Sequence, residues 1–223
     1  MTNFTRRSIL AAGTAAIAAS SGIAMARQSK AQSSIQINAG KNRKFDREKF
    51  IEDCIIANKA GGQLAVNEVL SRGVSDPSAV LNSLGAPTKA GISVLHNSDD
   101  LTIFVAAWTP QQNLMPHNHL MWSNIGIYTG REDNIYWEKG RDGIRGSRAV
   151  TLFEGDTAMN DHDAIHSVTN PLQRFTAGIH IYGGNYFDVP RSQWDPESLE
   201  EEGSNGDKIR EMFRKENERL GLI

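Results

Sequence analysis

Apolar positions near the start of the ordered-looking chain recur at helical spacing. Over 45–60, Phe50, Ile51, Cys54 and Ile55 fall on one side and charged residues fill the positions between them, which predicts a helix. Gly61-Gly62 interrupts the pattern, and a second helix is predicted over 63–71 with Leu64, Val66, Val69 and Leu70 as its apolar side. A third, short helix is predicted from Asp76-Pro77, a capping residue followed by proline at the first helical position, to about Gly85-Ala86-Pro87. From about Gly91 to Pro190 the pattern changes to short apolar or alternating runs between turn signals. Predicted strands are Leu101 to Trp108, Trp122 to Tyr128 closed by Thr129-Gly130, Asn134 to Trp137, Ala149 to Phe153, His166 to Thr169, and Thr176 to Tyr182. Short strands at this spacing predict a sandwich or barrel. The charged tail over 196–220 carries Ile209, Met212, Phe213 and Leu220, a thin apolar stripe suited to a C-terminal helix.

The first residues follow a different logic. Arg6-Arg7 precede an Ala/Gly/Ser/Thr stretch with scattered Ile, and Ala24-Met25-Ala26 is a small-x-small processing pattern. Paired arginines before a weakly apolar segment predict a twin-arginine leader over 1–26, with the export machinery as a transient partner and a periplasmic or secreted product. The alternative, an uncleaved membrane anchor, is disfavoured by the alanine-rich, glycine-broken run. The remaining organisation is a polar linker over 27–44, a helical segment over 45–88 packed on a barrel over 89–195, and the tail over 196–223. The formal net charge of −2, or −4 once Arg6 and Arg7 leave with the leader, points away from nucleic acid and from an anionic membrane surface. The single cysteine, Cys54, excludes an intramolecular disulfide and lies on the apolar stripe of the first helix, as a small buried hydrophobe would.

The chemistry is concentrated in Pro116-His117-Asn118-His119. Residues two apart on a strand share a face, so His117 and His119 can converge on one ion inside a barrel. A third ligand is available in the run from Gly155 to Asn170. His166 is the reading taken here. His162 stands at the i, i+4 spacing that would suit a helix, but Asn160-Asp161-His162-Asp163 reads as a turn and places His162 at the rim. Imidazole ligation alone admits Fe, Zn, Cu or Ni.

His117-x-His119 with Gly130, followed by Gly155, His166 and Asn170, resembles the two half-motifs of the cupins, whose fold is a mainly β jelly-roll barrel, the double-stranded β-helix. Most cupins place a glutamate five residues after the second histidine; here that position is Asn124. A three-histidine cupin without the glutamate resembles the cysteine dioxygenase superfamily of thiol dioxygenases. Trp108, Pro116 to Trp122, Gly126 to Glu132, Ile165 to Asn170 and His180-Ile181-Tyr182-Gly183 carry the likeness. The resemblance implies an Fe(II) enzyme that adds both atoms of O₂ to a small thiol, giving a sulfinic acid. It also implies that Tyr182 donates a hydrogen bond to the oxygen or substrate and that His180 holds Tyr182 in place. The chain departs from that family in three places. Gly178 stands where a serine precedes the histidine, and Asn124 stands where a cysteine can crosslink to the tyrosine. No Arg or Lys lies between Gly91 and Pro116, where a substrate-clamping arginine belongs. Arg131 and Arg174 are candidate replacements, although a solvated surface role suits each better. Besides thiol dioxygenation, two readings stay open: a cupin enzyme acting on a non-thiol small molecule such as an enol or phenol, and a non-catalytic metal- or ligand-binding cupin. In each of them Trp122, Tyr128 and Trp137 are candidates for an aromatic pocket lining as well as for the core.

Overall fold

The computed structural model describes residues 44–204 and 206–223. The expected leader and all but the end of the expected linker lie outside the described residues.

Helix α1 (Arg47–Val74) begins where the Asp46 side chain accepts the Lys49 amide at 2.9 Å, satisfying a donor that the first turn leaves unpaired. The expected break at Gly61-Gly62 is a kink. Gly62 takes φ 58° and ψ −142°, and the chain is helical on both sides, so the two predicted helices form one bent element. Helix α2 (Pro77–Leu84) starts as expected, with Asp76 accepting the Ala79 amide at 3.1 Å. The buried side of the second half of α1 is Val66, Val69, Leu70 and Val74; Leu64, predicted on that side, is exposed.

Eleven strands follow among the described residues: β1 (Gly91–Asn97), β2 (Thr102–Trp108), β3 (Asn113–Asn118), β4 (Ser123–Thr129), β5 (Arg131–Gly140), β6 (Gly143–Phe153), β7 (Thr157–Asn160), β8 (Ile165–Thr169), β9 (Thr176–Tyr182), β10 (Ser192–Trp194) and β11 (Glu201–Gly203). They form a five-stranded sheet in the order β1-β2-β9-β4-β7 and a six-stranded sheet in the order β11-β10-β3-β8-β5-β6. All pairings are antiparallel. The chain crosses repeatedly between the two sheets, as in a jelly roll, and the fold is the cupin-type double-stranded β-helix.

Strand alternation assigns the layers. On β2 and β9, Ile103, Val105, Ala107, Ala177, Ile179 and Ile181 face outward and pack with Phe50, Cys54, Leu70 and Val74 of α1. Gly126 on β4 lets α1 approach: a Cβ there would lie 2.8 Å from Leu70 Cδ1 and 3.1 Å from Val74 Cγ1. The opposite positions, Phe104, Ala106, Trp108 and Tyr182, join Leu114 and Val168 of the second sheet in the barrel interior. Gly130 turns β4 into β5 at φ 84°, where a side chain would also overlap the Thr176 hydroxyl.

The tail belongs to the barrel. Helix α3 (Gly206–Arg219) inserts Phe213 among the interior residues, flanked by Ile209 and Met212. Asn217 fastens it to the start of β1, accepting from the Ala90 amide at 2.7 Å and donating to the Ala90 carbonyl at 3.0 Å. Leu220, predicted on the same stripe, follows the helix and is exposed.

Candidate metal centre

β3 and β8 bring the histidines together. They pair with His117 opposite His166, and a register shift between Leu114 and His117 bends β3 as it reaches the site. His119 follows the end of β3. The three rings have centroids 4.6–5.0 Å apart, and one ligand nitrogen from each lies within 4.8 Å of the others. No other His, Cys, Asp or Glu among the described residues joins the group.

Each ring is held from behind. His117 Nδ1 donates to the Met115 carbonyl at 3.0 Å, and His166 Nδ1 donates to Asn134 Oδ1 at 2.7 Å. His119 Nδ1 lies 3.4 Å from Ser123 Oγ. The Nε2 atoms of His119 and His166 are then left 3.4 Å apart, facing one another across the centre. Burial disfavours the charged ring, so His117 is pushed down to about 4 and His119 and His166 well below their ordinary value. Three neutral imidazoles with free Nε2 lone pairs and anchored Nδ1 atoms form a donor set that fits a divalent transition metal.

His162 is elsewhere. Its side chain is 64% exposed and pairs with Asp163 at 2.7 Å. Asn124 is also outside the centre: it points to α1, where its amide nitrogen donates to the Gln63 carbonyl at 3.0 Å and its oxygen accepts from Gln63 Nε2 at 3.2 Å. The inward residue on that strand is Ser123, behind His119.

His180 and Tyr182 face the interior from β9, on the opposite sheet. The Tyr182 and His119 rings are 4.9 Å apart, and the Tyr182 hydroxyl lies 3.5 Å from His180 Nδ1. Burial lowers His180 to about 3 and raises the Tyr182 phenol well above its ordinary value. Of the two roles open to Trp122, Tyr128 and Trp137, the structure gives the core one. Tyr128 and Trp122 pack with the outer layer under α1, and Trp137 clusters with Ile144, Ile165 and Trp194. The space beside the histidines is lined by Phe104, Trp108, Tyr186 and, from α3, Phe213.

Neither replacement arginine reaches the centre. Arg131 is held by Asp133 through two 2.8 Å contacts and Arg174 pairs with Glu154 at 3.1 Å. Arg191, which precedes β10, is linked to the site through Tyr186, whose ring centroid lies 6.1 Å from that of His119. Its guanidinium lies 3.8 Å above the Tyr186 ring, and its charge lowers the pKa values of His117, His119 and Tyr182. Its Nη1 is buried with no hydrogen-bond partner. A second residue that the sequence reading missed is Glu132, fully buried behind Trp108 and Asn134.

No family model matches the sequence, and no curated protein matches it. Solved structures do. One is an uncharacterized protein with a double-stranded β-helix domain from Klebsiella pneumoniae, 15% identical, covering 51% of this chain and 87% of that one with a TM-score of 0.40. Another is an RmlC-like cupin family protein from Methanocaldococcus jannaschii, 10% identical, covering 45% and 85% with a TM-score of 0.38. A DMSP lyase from Ruegeria pomeroyi is 16% identical, covering 49% and 54% with a TM-score of 0.40.

Proposed function

We propose that the protein is an Fe(II)-dependent dioxygenase that converts a small thiol bearing an anionic group, together with O₂, into the corresponding sulfinic acid. The observation that carries this reading is the centre itself: three buried neutral imidazoles, each held through Nδ1, with one ring nitrogen from each within 4.8 Å of the others. A site with three protein ligands leaves positions for substrate, which is the mark of catalytic rather than structural sites. When bound, the metal would lower the thiol pKa and bring the thiolate and O₂ together.

The chain's own residues would do the rest. His117, His119 and His166 hold the ion. Arg191 offers its unpaired Nη1 to a carboxylate or similar anion, in the role for which Arg131 and Arg174 are misplaced. Phe104, Trp108 and Phe213 exclude water from the reacting sulfur. Tyr182, backed by His180, places a hydroxyl beside His119. Export by the twin-arginine route belongs to the same proposal, because that route carries folded proteins and permits metal loading before transport. Cell fractionation tests it.

The decisive experiment is metal analysis of protein folded in the cell, followed by O₂ uptake across thiols with and without a carboxylate and across enols and phenols. Iron with thiol-dependent uptake supports the proposal, and Arg191→Ala should then raise KM for carboxylated thiols about 10-fold or more. Uptake with enols or phenols alone, or tight binding without turnover, refutes it.

A further inference from the structure

One buried carboxylate has no part in the reading above. Glu132 lies on β5 and is fully buried in the barrel. Its Oε2 accepts from Trp108 Nε1 at 2.9 Å and its Oε1 accepts from Asn134 Nδ2 at 3.0 Å. Asn134 is the residue that holds His166 Nδ1 at 2.7 Å. On its other side, Glu132 Oε2 lies 3.7 Å from His180 Nε2, a few tenths of an ångström beyond a hydrogen bond. That nitrogen is buried and has no hydrogen-bond partner. The other ring nitrogen, Nδ1, lies 3.5 Å from the Tyr182 hydroxyl. One carboxyl group therefore stands between a ligand of the centre and the His180–Tyr182 pair.

Gly178 offers His180 Nε2 no partner. A Cβ at that position would lie 2.9 Å from Ile127 Cδ1, 3.1 Å from the Gly126 carbonyl and 3.4 Å from His180 Nε2. A side chain there would press on Ile127 and the Gly126 carbonyl while meeting the ring edge at ordinary contact; with glycine, the hydroxyl that a serine would supply is absent and Nε2 is left facing Glu132. A neutral acceptor would satisfy Trp108 and Asn134 at lower cost than a buried carboxylate. His180 is the neighbour that gains from the charge.

We propose that Glu132 is the positioning residue of the His180–Tyr182 pair: its carboxylate takes the Nε2–H of His180 and so leaves Nδ1 as the acceptor for the Tyr182 hydroxyl. Why that hydroxyl matters rests on the dioxygenase reading; the geometry of the ring does not. In that reading a proton released by the substrate thiol passes to the Tyr182 oxygen while the phenolic proton moves to His180 Nδ1. The imidazolium so formed is held against the Glu132 carboxylate, and the transfer needs no further reactant.

The test uses full-length protein labelled with ¹⁵N at histidine and saturated with Zn(II). It is read by NMR at pH 8, above the value of about 7 to which burial raises the Glu132 carboxyl. His180→Asn assigns the ring among the six histidines. The expected result is a neutral His180 protonated at Nε2, with both ring nitrogens shifted in Glu132→Gln while zinc content is unchanged. A proton on Nδ1 in the wild-type protein overturns the proposal even where Glu132→Gln does not fold, and so do ring signals unaltered in Glu132→Gln. With an active thiol, Glu132→Gln should lower kcat about 10-fold or more and leave KM within about twofold, with partial rescue by Glu132→Asp; an effect on KM alone overturns it. If no thiol supports uptake by wild-type protein, the dioxygenase reading fails and the NMR result still decides the role of Glu132.

Discussion

Asn134 makes the sharpest prediction about the centre, because it reaches the ion only through another residue. Its Oδ1 accepts His166 Nδ1–H at 2.7 Å and its amide nitrogen donates to Glu132 at 3.0 Å. Asn134→Ala removes both contacts and leaves every ligand in place. His166 would then be free to rotate and to place its proton on Nε2, the atom that binds. Loss of such support costs about 10–100-fold in metal affinity, which is ~1.4–2.7 kcal/mol. Asn134 is 1% exposed, so bulk water is poorly placed to substitute for it, and the upper half of that range is expected. The metal-free protein should also lose about 1–3 kcal/mol of stability, since a buried carboxylate oxygen loses its donor. The assay is competition for Zn(II) with a chromophoric chelator, run beside thermal unfolding. His166→Ala should weaken binding beyond Asn134→Ala. His162→Ala should change it less than about twofold, because that ring is solvated and paired only with an exposed neighbour. An Asn134→Ala protein that is folded and binds within about twofold of wild type would refute the reasoning, as would a His162→Ala protein as impaired as His166→Ala.

Phe213 stacks on Trp108 with ring centroids 5.5 Å apart and is 7% exposed. Phe213→Ala should cost about 3 kcal/mol in urea unfolding, and a loss under about 1 kcal/mol would mean that α3 does not close the barrel. Burial raises the Glu132 carboxyl from 4.5 to about 7, so the folded metal-free protein keeps a proton that the unfolded chain releases. Wild-type stability relative to Glu132→Gln should therefore be greatest below pH 4.5 and fall as pH rises through that window to pH 7, by up to about 3 kcal/mol. A difference that stays flat across the window counts against this. Cys54 is fully buried and its thiol is pushed up to about 12, so a maleimide should label it only after denaturation; rapid labelling of native protein would contradict its place under α1.

Much of the fold was legible because periodicity and burial agree. On β2 and β9 the outer positions are aliphatic and fill the layer beneath α1, so both runs read as strands whichever face they present. The histidines were legible for a related reason: imidazoles two apart in an apolar context have few other uses in a barrel. The choice between lining and core was open for Trp122, Tyr128 and Trp137 because they are apolar on either side of a sheet, and alternation alone does not say which side faces the centre. Asn124 occupies the position at which most cupins carry the glutamate, and it is no ligand here. The chain turns between His119 and Asn124, with Leu120 at φ 49°, and Asn124 ends on the helix side of β4.

Glu132 and Arg191 were illegible for a different physical reason. Along Arg131-Glu132-Asp133-Asn134 every position is polar, so the inward pair, Glu132 and Asn134, shows no contrast with the outward pair. Only the three-dimensional register, with Asn134 opposite Val168 on β8, turns that face to the interior. Arg191 stands outside the barrel strands, in a connection whose sequence resembles any charged loop, and it is brought beside Tyr186 near the centre as β10 pairs with β3 through Gln193 and His117. Glu132 is fully buried and Arg191 half-buried, and each has dedicated partners: donors for the carboxylate, and an aromatic face for the guanidinium. Hydrophobic patterning locates the core by what avoids water. It has no means of marking the polar side chains that the fold buries for use, so partner geometry must identify them.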